Sequence, residues 1–170
     1  MSAMTRALGL SLLLFALVGC ASQTVPRRDP AVRIASVMAF DAARFAGRWQ
    51  VAASHVPGCA GAEMVWAAQG GGFAISGSDC TGTAPAPLLA EAWLRGPGAR
   101  IEAAGKAFGG DPVWVLWVDQ DYRVAVLGTP SGRWAMILAR PGAARGDLMV
   151  AAREVLAFNG YDLAQLAGAR

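Results

Sequence analysis

The residues with the types and spacing that chemistry requires are few. His55, Cys59 and Cys80 offer one imidazole and two thiols, donor types that zinc accepts. They lack a fourth ligand and any Cys-x-x-Cys spacing, so a metal is the weaker reading of them. Asp119 and Asp121 stand two apart, and paired carboxylates can divide acid and base roles. They flank Gln120 in a tight-turn sequence, however, and a turn accounts for both. Gly70-Gly71-Gly72 is followed by neither a lysine nor a helix start, which a phosphate-binding loop needs. The single histidine, His55, follows a candidate strand close to Pro57 and has no partner Ser or Cys motif. A positioned acid, base or nucleophile is the minimum for catalysis. The expectation is therefore no enzyme, no metal and no cofactor.

Composition narrows the rest. The chain has 170 residues, 55% hydrophobic and 16% charged, with six Trp and six Phe and a mean hydropathy of +0.38. That is ample apolar surface for one folded domain and argues against disorder. Only the first twenty residues hold an unbroken apolar run; elsewhere Gly, Pro or a charge interrupts every few residues, which excludes a bundle of membrane helices. The formal charge is +3. Without Arg6 the 15 basic residues become 14 against 12 acidic ones, a net +2. Lys106 is the only lysine and no basic stripe carries aromatics, so no nucleic-acid partner is expected.

Residues 1–6 form a short basic region and 7–18 an apolar one of signal-peptide length. The run Leu17-Val18-Gly19-Cys20 resembles the lipobox of bacterial lipoproteins. That resemblance implies a signal peptide over 1–19 and a lipid anchor on Cys20. Two or more acyl chains would anchor stably, at about 0.8 kcal/mol per buried methylene. Ala21 in place of Asp implies sorting to the outer membrane, facing the periplasm. Residues 20–37, with Pro26, Arg27, Arg28 and Pro30, read as lipidated Cys and tether, and 38–170 as the domain. With Cys20 lipidated, Cys59 and Cys80 remain as an even pair in an oxidising compartment, read as a disulfide worth about 3 kcal/mol.

From residue 46 onward short β segments alternate with turn residues. Strands are expected over 47–54, 63–69, 73–78, 88–95, 99–105, 113–118, 122–128 and 133–140. Eight strands with short connections predict an all-β, eight-stranded antiparallel up-and-down barrel, which leaves no edge exposed. Val113-Trp114-Val115-Leu116-Trp117-Val118 is apolar on both faces, so the interior is greasy: a packed core or an apolar cavity. One helix follows. Asp147 is the expected N-cap, 148–158 the body with Leu148, Ala152, Val155 and Leu156 at helical spacing, and Asn159-Gly160 the stop. It is expected to lie outside the barrel wall.

The stretch Phe40–Trp49, with a short helical turn before Gly47-x-Trp49, resembles the first signature of the lipocalins. Val118-Asp119-Gln120-Asp121-Tyr122-Arg123 resembles the second, and Ile137-Leu138-Ala139-Arg140 the third. Order and spacing match, over about residues 38–165, and the likeness is greatest to the bacterial outer-membrane branch and to apolipoprotein D. The resemblance implies that Trp49 and Arg140 stack at the closed end of the barrel, with Gly47, Asp119, Asp121 and Tyr122 shaping the same end. Gln50 departs from the family, where an aromatic usually follows the signature Trp, and the Cys59/Cys80 pair is not general in that branch. The resemblance further implies a membrane-tethered binder or carrier of fatty acid, lysophospholipid or a similar amphiphile. Alternation from Trp49 puts Val51 and Ala53 on one face; Met64, Trp66, Trp93, Trp114, Leu116 and Met136 are further wall candidates. Two other readings stand beside it: a barrel filled by its own side chains, serving as an envelope interaction or stability module, and a lipocalin-like enzyme acting on an isoprenoid or lipid.

Overall fold

Gly47 opens a strand that carries the first of the signature residues, and seven more follow it in a meander. The computed structural model describes residues 26–168. After a short helix α1 (Ala42–Phe45) come β1 (Gly47–Ser54), β2 (Glu63–Gln69), β3 (Gly72–Asp79), β4 (Ala86–Leu94), β5 (Arg100–Ala103), β6 (Val113–Val118), β7 (Val124–Gly128) and β8 (Ala135–Ala139). Each pairs antiparallel with the next, and β1 pairs with both β2 and β8, so the sheet closes into a barrel. The eight expected strands are all present, β1, β2 and β6 with the expected limits. A ninth, β9 (Ala167–Gly168), adds to β1 at Ala53 and Ser54.

The up-and-down order collects the connections 55–62, 80–85, 104–112 and 129–134 at one end. The opposite end holds α1 and the connections 70–71, 95–99 and 119–123. Helix α2 (Gly146–Phe158) lies outside, against β6 and β7. It begins two residues before the expected start. Arg145 occupies the N-cap without a side-chain bond, and Asp147 sits in the first turn, where a carboxylate suits the helix dipole. Asn159 ends the helix as expected.

Two apolar layers result. One fills the barrel, with Trp49, Trp66, Trp134, Phe45, Phe73, Phe108, Met64 and Met136 all at most 1% exposed. The other lies between the wall and α2, where Val124, Val126, Ala135 and Ile137 meet Met149, Ala152 and Leu156. This double use explains why β6, β7 and β8 are apolar on both faces.

Part of the stretch read as a tether lies against the domain. Val37 N–H donates to the Val115 carbonyl and Ala99 N–H to that of Val37. Arg28 is buried, and its guanidinium donates to the carbonyls of Asn159 and Val32. Arg27 is half-buried and donates to the Arg133 carbonyl, so the chain leaves the domain beside the connection 129–134. Tyr161 fastens the other terminus to that connection: its hydroxyl donates to the Thr129 carbonyl at 2.8 Å and accepts the Thr129 N–H at 2.9 Å. Burial pushes this hydroxyl up to about 12. Cys20 and the signal segment lie outside the described residues.

Candidate functional site

The end holding α1 is sealed by one cation. Arg140 lies 3.8 Å above the Trp49 ring. Its guanidinium donates to the carbonyls of Arg44, Phe45, Ala46, Arg48 and Tyr122, at 2.8 to 3.2 Å. Gly47 makes room for it: a Cβ there would meet Arg140 Nη1 at 3.0 Å, and its φ of +112° is one that other residues rarely adopt. Burial lowers the Arg140 pKa from its ordinary value. Trp49 Nε1 donates to the Phe45 carbonyl, and the Phe45 ring then meets Trp49, Trp66 and Phe73 at centroid distances of 5.0 to 5.8 Å. This end is a structural plug.

Asp119 and Asp121 sit in the β6–β7 turn. The Asp119 carboxylate is 4% exposed and accepts from the backbone N–H groups of Asp121, Arg123 and Val124 and from Arg123 Nε. Burial works to raise its pKa, but those donors outweigh burial and hold the carboxyl below its usual value. Asp121 is exposed, and its carboxylate pairs with Arg123 at 3.2 Å. Tyr122, with φ +56°, presents its hydroxyl to the Asp41 N–H and its ring to Arg44. The carboxylates therefore serve the turn. Asp119→Ala is expected to cost about 2–3 kcal/mol, since hydrogen bonds to a charged acceptor are lost. Because the folded pKa lies below the ordinary 3.8, the stabilisation is complete above that value and vanishes as pH falls through the folded pKa. Urea titrations of wild type and variant should converge in strong acid; a gap unchanged by pH would show that the charge is not what stabilises.

Cys59 and Cys80 are bonded to each other, at the opposite end of the barrel and with no exposure. They tie the connection 55–62 to 80–85 and are not available as thiolate ligands. His55 is buried close to them in sequence, with Nδ1 3.1 Å from the Ala135 carbonyl and 3.2 Å from the Ala135 N–H, and Nε2 unpartnered. Burial is the main cause of its lowered pKa and favours the neutral form. Among the described residues, no group of three or more His, Cys, Asp or Glu could hold a metal ion.

The eight wall candidates divide. Val51, Met64, Trp66 and Met136 lie inside the barrel. Ala53, Leu116 and Trp114 instead join the layer under α2. For Ala53 the reason is a β-bulge, since the register slips between Val51 and Ala53, whereas Leu116 and Trp114 share the outer face of β6 by plain alternation with Val113 and Val115. An extra residue reverses the alternation beyond it, so Ala53 faces out although Val51 faces in. Trp114 alternates with the buried Val113 and Val115 and carries Arg100 at 4.3 Å. Trp93 neighbours the buried Ala92, points outward, and meets Arg95 at 5.7 Å.

Many inner residues were not among the candidates, and Phe73, Trp134 and Phe108 are three of the largest. Phe73 and Trp134 follow from the alternation that placed Met136, had it been applied to β3 and to the start of β8. Phe108 had no periodicity to reveal it, only its isolation as a ring in Gly105-Lys106-Ala107-Phe108-Gly109-Gly110. It stacks on Trp66 at 5.9 Å and lies 6.0 Å from Trp134. Among the described residues, the buried side-chain atoms without a hydrogen-bond partner are Trp66 Nε1, His55 Nε2 and Thr129 Oγ1, of which Trp66 Nε1 belongs to the barrel interior. A separate open groove of about 470 Å³ runs outside the barrel between Arg28, Val32 and Tyr161.

A closed eight-stranded meander, one end sealed by Arg140 on Trp49 and a C-terminal helix outside, defines the lipocalin fold. Comparison with known proteins agrees. Residues 103–170 match the family model described as a lipocalin-like domain. Among solved structures, the chain resembles apocrustacyanin C1 (TM-score 0.54), apocrustacyanin C2 (0.53) and lobster apocrustacyanin A1 (0.54), each at 13% identity. The alignments cover 73%, 73% and 74% of this chain and 76% of each of those. At that identity the likeness concerns the fold alone. No curated protein matches the sequence significantly.

Proposed function

We propose that this chain binds one small hydrophobic or amphiphilic molecule inside the barrel, of the fatty-acid or lysophospholipid class, while anchored to a bacterial outer membrane through Cys20. The observation that carries the reading is the interior. It is a barrel of eight strands, lined by apolar side chains and sealed at one end, and such a barrel is just wide enough for one small ligand. Each methylene transferred into that interior contributes about 0.8 kcal/mol, so an acyl chain needs few polar contacts. Val51, Met64, Trp66 and Met136 are the residues assigned to contact it.

The anchor and the ligand would meet at the same end. Pro26 leaves the domain beside the connection 129–134, on the side away from Arg140, and the six residues back to Cys20 span at most about 21 Å. The mouth is thereby held near the periplasmic face of the bilayer, where a lipid could pass between the two. Among the described residues no helix is long and apolar enough to cross a membrane.

Native mass spectrometry of the chain, extracted gently from bacterial membranes, tests this. The expected result is one discrete added mass that organic solvent releases as a lipid, with the acylation of Cys20 visible in the same spectrum. A bare mass that also refuses added fatty acid and lysophospholipid would sink the carrier reading. That outcome would favour the second reading, a barrel filled by its own side chains and serving as an interaction module. The close contacts of Trp66, Phe108 and Trp134 speak for it, and Trp fluorescence would then ignore added lipid.

A further inference from the structure

The connection between β5 and β6 is exposed at Ala104, Gly105, Lys106, Gly109 and Gly110, yet the one ring it carries, Phe108, has no exposure at all. Its backbone adopts φ +55°, ψ +31°, in the left-handed region that a bulky side chain avoids. Strain of this kind persists only where surroundings impose it, and it gathers at ligand clamps and switches. Here the surroundings are named. Phe108 N–H donates to the Asp79 carboxylate at 2.8 Å, and its carbonyl accepts from Trp134 Nε1 and from the Asp111 N–H. The ring is stacked on Trp66, inclined by 28°, and is tilted by 33° against Trp134, with centroids 5.9 and 6.0 Å away, within the range of aromatic pairs.

Trp66 supplies the second observation. Its ring is wholly buried, and Nε1, which can only donate, has no acceptor. Buried donors nearly always find a partner in folded proteins. At the ends of the connection, Gly105 and Gly110 have positive φ and open space where a Cβ would stand, so the backbone there can turn without collision. A short exposed segment thus carries one buried ring, against a donor left unused.

We propose that the Phe108 ring occupies the place of a ligand ring: the space beside the Trp66 and Trp134 indoles is a subsite for a planar apolar ring bearing one hydrogen-bond acceptor, which displaces Phe108 and takes the Trp66 Nε1 proton as its bond. This rests on the binding reading above and specifies which ligands enter deepest. Two indoles that both meet one ring favour a flat molecule, whereas a flexible chain covers them only in part.

The test uses the full chain in lipid nanodiscs, with empty nanodiscs as the blank and two matched probes, 2-acetylnaphthalene and 2-ethylnaphthalene. Wild type is expected to bind the acetyl probe about tenfold more tightly, the worth of one hydrogen bond in a buried site. Trp66→Phe keeps the ring and removes the donor, so the preference should fall to about twofold or less. Phe108→Ala removes the competing ring and should strengthen both probes about tenfold. In wild type, the acetyl probe should also accelerate hydrogen exchange over residues 105–110, because the Phe108 N–H leaves Asp79. An acetyl preference that survives in Trp66→Phe, or exchange unaltered by bound probe, overturns the proposal. Should Phe108→Ala fail to fold, wild type and Trp66→Phe still decide it. Dodecanoic acid run in parallel separates the two readings: dodecanoate bound with both rings refused overturns only this subsite, and nothing bound overturns both.

Discussion

Arg140→Ala is expected to lower the stability of the domain by about 3 kcal/mol, read in thermal denaturation as a fall of roughly 6–12 °C. Five backbone carbonyls lose their donor together, and those of Arg44, Phe45 and Ala46 end a helix too short to satisfy them otherwise. Some regain water, which keeps the expected loss well below the sum of five separate bonds. The Trp49 face also loses a cation 3.8 Å away, a contact of about 0.5–2 kcal/mol. Arg140→Lys separates charge from shape. A lysine keeps the positive charge but has three donors on a point-like head and no plane to lay on the indole. It should recover less than half of the loss. A lysine variant as stable as wild type would mean that charge alone seals this end. An alanine variant within about 0.5 kcal/mol of wild type would mean that the carbonyls are hydrated already.

The second large effect is expected at the other end. Cys59→Ala with Cys80→Ala should cost about 3 kcal/mol, because a bond across 21 residues restricts the unfolded chain by that amount. Urea denaturation measures it, and carries its own control. Removing a cross-link lets the unfolded state expand, so the urea dependence should steepen as the midpoint falls. A midpoint that falls with the slope unchanged would place the effect in the native core instead. Both sulfurs have no exposure, so reductant should act on the native protein only through opening of the loops. Equal stability of the double variant and wild type would overturn the assignment of a stabilising role.

Much of the architecture was legible because strands announce themselves locally. In β1, β2 and β6 an apolar run ends at residues that cannot continue it, and the limits agree with the structure to the residue. In β7 and β8 the ends differ, since Tyr122 and Arg123 serve the turn around Asp119 and Arg140 serves the carbonyls of α1. The same locality explains the wall residues. Met64, Trp66 and Met136 sit on strands that keep strict alternation, whereas Ala53 lies beyond a bulge. A bulge has no composition of its own; it arises where two paired strands must bend together to close a barrel.

By itself, then, the sequence determined the number and order of the eight barrel strands (though not the short ninth), the helix that follows them, and the disulfide pair. These depend on periodicity, turn residues and the parity of the cysteines, all properties of neighbours along the chain. The tertiary structure alone decided which face of β1 and β6 looks inward, that Arg28 and Val37 bind the domain, and that Phe108 fills the barrel beside Trp66. Each of these depends on partners distant in sequence, and a one-residue shift in register, which costs little locally, reverses every side chain beyond it.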